Sequence, residues 1–397
     1  MLELFAVRGQ LAVTLLVHAT VAAAAWSASL LAADAHHRGE EGDAWMARAA
    51  LGAKVSVATG ALVMMQLPVF WSVAIGTAGL GVFAPLVVAF ALVVGRAAWL
   101  AGEPKPTRGF GALLMGTGSG FIGLLVLGWL AVPHLATVTD DGAVSVPLQA
   151  LWTNTAGWAR VVHVALGALA LGSAFFAAGA ARRGKVAASQ RALVFVLLAL
   201  FVQPLAGMMS WRVVGLYQPV KVAAMGAHWE TAASADVQIG SWPYDFGEFS
   251  REGVRVSGAL SQIVHGDAEA EVAGLLDFPM EGRPPVAALH LGHQGMMLMW
   301  LVAMVLASVG WNRTRKGHAS RWLLGVGLVP ATFAAWFFGW LVAELGRQPW
   351  TIRGVLRVGD AVWLPRGIAP ASFVVLSLVS VFLAVNFIIR GRRLGAS

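Results

Sequence analysis

Cysteine is absent from all 397 residues, which removes disulfides, thiolate metal sites, iron–sulfur ligation and covalent Cys-x-x-Cys-His haem attachment from the chemistry open to this chain. Any metal must be held by His, Met or carboxylate. Charge is scarce as well: only 12% of residues are Asp, Glu, Lys or Arg, while 58% are hydrophobic. A soluble domain does not carry so little charge, so the apolar runs are read as membrane spans and the fold as an all-α, polytopic membrane helical bundle. Also missing are an internal repeat, a low-complexity tract, a Rossmann glycine fingerprint and a phosphate loop. The Gly-x-Gly patterns that do occur are read as close helix packing. A formal net charge of +8 would suggest a nucleic-acid binder in a soluble protein. Here Lys and Arg gather in short connections, the pattern that sets membrane orientation, so no nucleic-acid partner is expected.

Runs of about 20 residues or more, long enough to cross a hydrocarbon core, fall near 9–32, 50–72, 76–101, 110–133, 157–181, 190–211, 285–311, 322–344 and 368–390. Nine spans result. They divide the chain into six spans within 1–211, a long connection over 212–284, and three further spans within 285–397. Arg182, Arg183 and Lys185, then Arg313, Arg315 and Lys316, then Arg390, Arg392 and Arg393 fall on one side, read as cytoplasmic. Asp140 and Asp141 fall on the other, with the N-terminus outside and the C-terminus in the cytoplasm. Only Arg8 precedes the first apolar run, which is read as a retained span rather than a signal peptide. Arg347, Arg353, Arg357 and Arg366 dissent from this charge rule. The long outer connection holds Trp229, Trp242 and Tyr244 among Asp, Glu and Gly with little helical periodicity, and is read as a binding loop.

Polar groups at membrane depth are costly and mark function. Gly339 to Trp350 collects Glu344, Arg347, Gln348 and the indoles of Trp340 and Trp350 at the end of an apolar run, with Glu344 three residues before Arg347 and so on one helix face. His18 in span one, His163 in span five, Met296 in span seven and Glu344 in span eight all fall at a similar depth in the outer half of the bilayer. Each is a residue type that can ligate haem iron. His290 and His293, about one turn from Met296, compete for the same role, and spacing does not choose between them. His36, His37 and His318 are read as lying in cytoplasmic loops, and no pair of His residues with carboxylate support recurs at zinc spacing.

The string Gly346-Arg347-Gln348-Pro349-Trp350 and the segment from Lys221 to Thr231 resemble the signatures of subunit I of cytochrome bd-type quinol oxidases. The resemblance spans nearly the whole chain. It implies a quinol-binding loop between spans six and seven and three non-covalent haems near the outer face. His18 then resembles the axial ligand of one high-spin haem and Glu344 that of the other, the pair being haem b or d. His163 and Met296 resemble the ligands of a low-spin haem b. Arg347, with Gln348 and Trp350 of the intact motif, would help hold the cofactors and pair with their propionates. Lys221 matches the loop lysine of the quinol site. A second membrane subunit is implied as a partner, and the inner membrane of a bacterium or archaeon as the setting. Four positions depart from the family pattern: Gly226 and Ala89 and Ala97 stand where carboxylates are usual, and Gln294 where an Arg is usual. The last span-three positions leave that helix without any acid, so protons for oxygen reduction need another carrier. Two other readings follow: a related subunit that exchanges electrons between quinone and another redox partner without reducing oxygen, and a transporter with Glu344, Arg347 and Gln203-Pro204 in a midplane pathway.

Overall fold

The computed structural model describes residues 2–39, 42–102, 105–133, 137–138, 144–147, 149–365 and 367–393. Asp140, Asp141 and Arg366, which entered the orientation argument, lie outside the described residues. Among the described residues twelve α-helices follow in chain order: α1 (Leu2–His37), α2 (Asp43–Phe70), α3 (Ser72–Trp99), α4 (Gly109–Ala131), α5 (Gln149–Trp152), α6 (Thr155–Arg182), α7 (Val186–Tyr217), α8 (Pro219–Gly226), α9 (Ala259–His265), α10 (Val286–Arg315), α11 (Val329–Leu345) and α12 (Ile368–Arg393). A π-helical turn, Leu323–Leu328, leads directly into α11. Among the described residues nine helices are long and apolar enough to cross a membrane, so the polytopic helical bundle read from the sequence is what the chain forms.

The helices outrun the hydropathy windows. α1 continues through His36 and His37, which close its last turn rather than lying in a loop. Hydropathy registers only residues that suit hydrocarbon, whereas the backbone hydrogen-bond ladder runs on into the polar interface. Because α1, α2, α3, α4, α6, α7, α10, α11 and α12 alternate in direction, the connections sort to two ends. One, the loop end, carries the 218–285 connection, and the other carries Arg182, Arg183, Lys185, Arg313, Arg315 and Lys316.

Packing relies on small residues. Ala28, Ala32, Ala49, Ala53, Ala174, Ala177 and Ala192 form a buried cluster across α1, α2, α6 and α7. In lipid, tails are as apolar as side chains, so close backbone approach and dispersion replace the hydrophobic drive between helices. One tight crossing is α4 on α6, where a Cβ added to Gly128 would overlap the Gly157 backbone. Asn154 locks that crossing: its Oδ1 accepts from Gly157 N at 3.1 Å, capping α6, and its Nδ2 donates to Val132 O at 2.7 Å just past α4.

The long connection is structured. α8 buries Val220, Ala223, Ala224 and Met225, and α9 buries Leu260 and Val264 beneath short antiparallel pairs such as Val237–Ile239 with Val254–Val256 and Trp242–Tyr244 with Phe249–Arg251. Helices of seven and eight residues are too short for a periodicity window and are held by packing rather than propensity. Asp245 ties the second hairpin to the bundle, its Oδ1 accepting from Ala287 N at 2.8 Å in the first turn of α10.

Candidate functional site

A cavity of about 800 Å³ runs between α1, α2, α3, α4, α6 and α11, walled almost wholly by apolar side chains. Its ionisable lining is sparse and ordered: Arg8, Arg160, Glu344 and Arg347 at the loop end, His18 between, and Arg96 toward the other end. Among the described residues Glu344 is the one carboxylate on the wall.

Glu344 and Arg347 close the last turn of α11. Arg347 Nε and a terminal nitrogen donate to Glu344 Oε2 at 2.9 and 2.6 Å, and Gln348 Nε2 donates to the Glu344 carbonyl at 3.1 Å. Arg8 and Arg160 lie within electrostatic reach of this pair, so three guanidiniums share one carboxylate. Lys221 joins them from α8. It is buried, not solvent-facing, and its methylenes lie where a side chain on Gly346 would go. Burial first, then the Arg160 charge and that of Arg353, against an opposing pull from Glu344, push its amine down to about 7. Trp350 stands apart from the cavity wall, in a short strand (Trp350–Ile352), with the Arg357 guanidinium 5.3 Å above its ring.

His18 is held by a hydrogen bond of 3.0 Å between Nδ1 and Thr59 Oγ1. The Thr59 hydroxyl proton is committed to Val55 O at 2.9 Å, so Thr59 accepts and His18 Nδ1 carries the proton. Nε2 is thereby left with a free lone pair, the form an imidazole needs to bind a metal.

His163 and Met296 are not on this cavity. On α6 the side chains of Arg160, Val161, Val164, Ala165 and Ala168 face it, and His163 points from the opposite side toward α7. There Gln203 Nε2 donates to the His163 carbonyl at 3.1 Å and lies 3.3 Å from both ring nitrogens, while Gly207 leaves space beside the ring. On α11 the same division holds: Trp336, Trp340 and Glu344 line the cavity, and Gly339 faces Met296 Sδ. The structure therefore gathers His18, Glu344, Arg347 and Gln348 in one compartment. His163 and Met296 lie across a partition one helix thick, made by α6 and α11.

Of the competing histidines, His290 is engaged with the loop and His293 with α7. His290 Nδ1 is 2.8 Å from Met225 O, and a carbonyl only accepts, so Nδ1 carries the proton and Nε2 accepts from Ser241 Oγ at 2.9 Å. Gln294 extends that contact, accepting from Gly240 N at 2.8 Å and donating to Gln238 O at 3.0 Å. His293 lies against Trp211, ring centroids 4.9 Å apart. Sequence reasoning missed Arg160, three residues before His163 in an apolar helix, and the role of Arg8, which a hydropathy reading treats as an end anchor. It also gave no sign of Thr59.

Comparison with known proteins follows the same lines. The profile of the family described as "Cytochrome bd terminal oxidase subunit I" matches residues 8–395. The chain is 30% identical over 250 residues to a cytochrome bd ubiquinol oxidase subunit 1 of Bacillus subtilis (strain 168), an alignment covering 57% of this chain and 53% of that protein, so about half of the relative's length is spanned. The structure of bd oxidase from Geobacillus thermodenitrificans superposes with a TM-score of 0.87 over 98% of each chain at 22% sequence identity, which establishes a shared fold.

Proposed function

Because the chain belongs to the cytochrome bd terminal oxidase subunit I family, we propose that it is the haem-bearing subunit of a bd-type membrane complex. His163 and Met296 would hold a low-spin haem, and His18 and Glu344 a high-spin pair; these groups would supply the one-electron chemistry that links quinol oxidation at the loop end to oxygen reduction. The observation that carries this reading is the cavity wall: apolar over its length, with a lone-pair-bearing His18 inside and a guanidinium cluster around Glu344 at one end.

That donor set suits haem. The apolar wall matches a macrocycle, and Arg8, Arg160 and Arg347 match its propionates, which accept charge-assisted hydrogen bonds. Haem held there would supply reversible one-electron chemistry and a metal able to react with oxygen. The protein does the rest. Thr59 fixes the His18 tautomer and ring plane. Gln203 restrains the His163 backbone and ring edge, and Arg347 orients the Glu344 carboxylate. Lys221, an amine near neutrality between the loop and the cluster, accepts a proton from the quinol hydroxyl. The basic residues opposite the loop support an N-terminus outside and a C-terminus in the cytoplasm of a bacterial or archaeal inner membrane, with a second membrane subunit alongside.

One observation favours a second reading, an electron-transfer subunit that does not reduce oxygen. The cavity face of α3 presents Ala89 and no acid. Two measurements on the purified complex decide. A reduced-minus-oxidised and carbon-monoxide difference spectrum shows low-spin and high-spin haem if the family reading holds, and quinol-dependent oxygen uptake separates oxidase from electron carrier. A protein with no haem spectrum refutes both.

A further inference from the structure

The long connection leaves apolar side chains uncovered along one stretch of chain. Residues 237–256 form an antiparallel ribbon: a first pair of strands, Val237–Ile239 with Val254–Val256, and a second, Trp242–Tyr244 with Phe249–Arg251, beyond which the chain folds back. Ile239 and Val254 oppose each other in the first pair and are 51% and 69% exposed. In the second pair Pro243 is buried, so Trp242 and Tyr244 share the other face, with Phe249 stacked on Tyr244 at 4.9 Å. All three aromatics are about half exposed. Contiguous apolar surface of this kind marks a place of contact.

Attachments to α10 fix the height of the ribbon. Gln294 Nε2 donates to Gln238 O at 3.0 Å and Gly240 N donates to Gln294 Oε1 at 2.8 Å, so the first pair lies level with Gln294. Asp245 Oδ1 accepts from Ala287 N, so the fold-back lies about 10 Å higher, two turns nearer the start of the helix. From Gln294 down to Arg313, where the basic residues at the far end of α10 begin, is 19 residues of helix. That rise is about 28 Å, against about 30 Å for a hydrocarbon core. With Arg313 at one surface of the core, the first pair stands at the edge of the other surface, and the second pair stands in the headgroup layer above it. The direction agrees with the height. Gln294 is followed at helical spacing by Leu298, Leu301, Val305 and Val309, all exposed, the stripe that α10 turns away from the bundle. Since one edge of Val237–Ile239 meets Gln294 and the other meets Val254–Val256, the ribbon extends outward from that stripe.

The charges of the ribbon fit a lipid surface. Each carboxylate of residues 236–256 is engaged within the protein: Asp236 accepts from Gly258 N, Asp245 from Ala287 N, Glu248 pairs with Arg283 and Glu252 with Arg255. Arg251, opposite Trp242, is exposed at headgroup height, where a cation suits lipid phosphate. We propose that this ribbon lies in the leaflet at the loop end, with Ile239 and Val254 against the acyl chains and Trp242, Tyr244 and Phe249 among the headgroups. Lipid, not a protein partner, is its occupant, because the side chains follow the order of a bilayer: aliphatic at hydrocarbon depth, then aromatic and basic at the interface. Phe246, fully exposed at the fold-back, stands at the upper rim, on the water side.

The absence of cysteine makes single-site labelling direct. Ile239→Cys, Val254→Cys, Phe246→Cys and, on the α10 stripe, Val305→Cys each carry a nitroxide in the purified complex, reconstituted into vesicles of phosphatidylethanolamine and phosphatidylglycerol. Electron paramagnetic resonance power saturation reads collision with oxygen, which gathers in hydrocarbon, and with a water-soluble nickel chelate, which hydrocarbon excludes. Labels at 239 and 254 are expected to resemble the one at 305, with nickel collision about tenfold below that at 246. Nickel collision at 239 and 254 equal to that at 246 overturns the proposal. Protection of both from oxygen and nickel alike also overturns it, and means that a protein subunit covers the ribbon. If a labelled variant fails to assemble, the unaltered complex decides: a phospholipid with a diazirine in its upper acyl chain is expected to tag residues 237–256 on illumination. Tagging of the α10 stripe without tagging of the ribbon overturns the proposal.

Discussion

Replacing Gly60 by alanine probes the His18 site through its packing rather than its chemistry. Gly60 lies on α2 opposite the His18 ring, and a Cβ there would stand 3.0 Å from His18 Cε1, 3.2 Å from Phe90 Cε2 and 3.3 Å from Phe90 Cδ2. Carbon atoms pack best at about 3.5–4.0 Å, so an alanine requires the imidazole to retreat by about 0.5 Å or more. Retreat is opposed by the Thr59 hydrogen bond at 3.0 Å. Overpacking of this kind costs about 1–3 kcal/mol, and metal–ligand distances tolerate only about 0.2 Å. On the proposal that His18 ligates haem iron, the ring can therefore keep its hydrogen bond or that iron, and not both. Gly60→Ala is expected to lower the high-spin haem content or shift its carbon-monoxide difference band while the low-spin band stays. Gly207→Ala is the control: its Cβ would meet His163 Cε1 at 3.8 Å and Nδ1 at 4.0 Å, ordinary contact, so it should leave both bands alone. Quantifying haem per polypeptide and recording both spectra gives the answer. Gly60→Ala protein with a native high-spin signal would refute the argument.

Other expectations follow from the same geometry. His163→Ala and Met296→Ala should each abolish the low-spin spectrum with the bundle intact by circular dichroism; a surviving signal would transfer the role to His293. Arg347→Gln removes the donors to Glu344 and should weaken haem retention by about 1–3 kcal/mol, read as faster loss of haem to an apo-protein acceptor. Lys221→Ala should raise the quinol KM more than it alters haem content, and an unchanged KM would place the quinol elsewhere. The Lys221 amine also sets a pH dependence. Its folded value is about 7 against 10.5. Between those values the unfolded chain holds a proton that the folded chain has released, so stability should rise with pH through that window. Melting curves of Lys221→Met should lose that rise.

The nine spans were legible because each is a long apolar run whose signal adds over many residues, and the motif around Arg347 was legible because charge in such a run is conspicuous. α8 and α9 were not. Each is shorter than the window that would detect it, and each is helical because Val220 or Leu260 has a core to enter. Depth along the membrane could be counted from the span ends, which is why His18, His163, Met296 and Glu344 read as one level. Their separation into two compartments could not, since it depends on which face each helix turns to which neighbour. Arg160 shows the limit well: near the start of a span it is indistinguishable from an interfacial anchor until α6 is seen packed against α11.

The partition formed by α6 and α11 has one more consequence. Each of these helices serves both compartments at once: α6 holds Arg160 for one and His163 for the other, and α11 holds Glu344 for one and Gly339, against Met296, for the other. Arg160 and His163 are only about 4.5 Å of rise apart on α6, so any sliding or tilting of that helix is felt in both compartments together. Sideways, α6 is held where Gly128 of α4 meets Gly157. A substitution at that crossing would disturb the His163 side and the Glu344 cluster at once, although it touches neither.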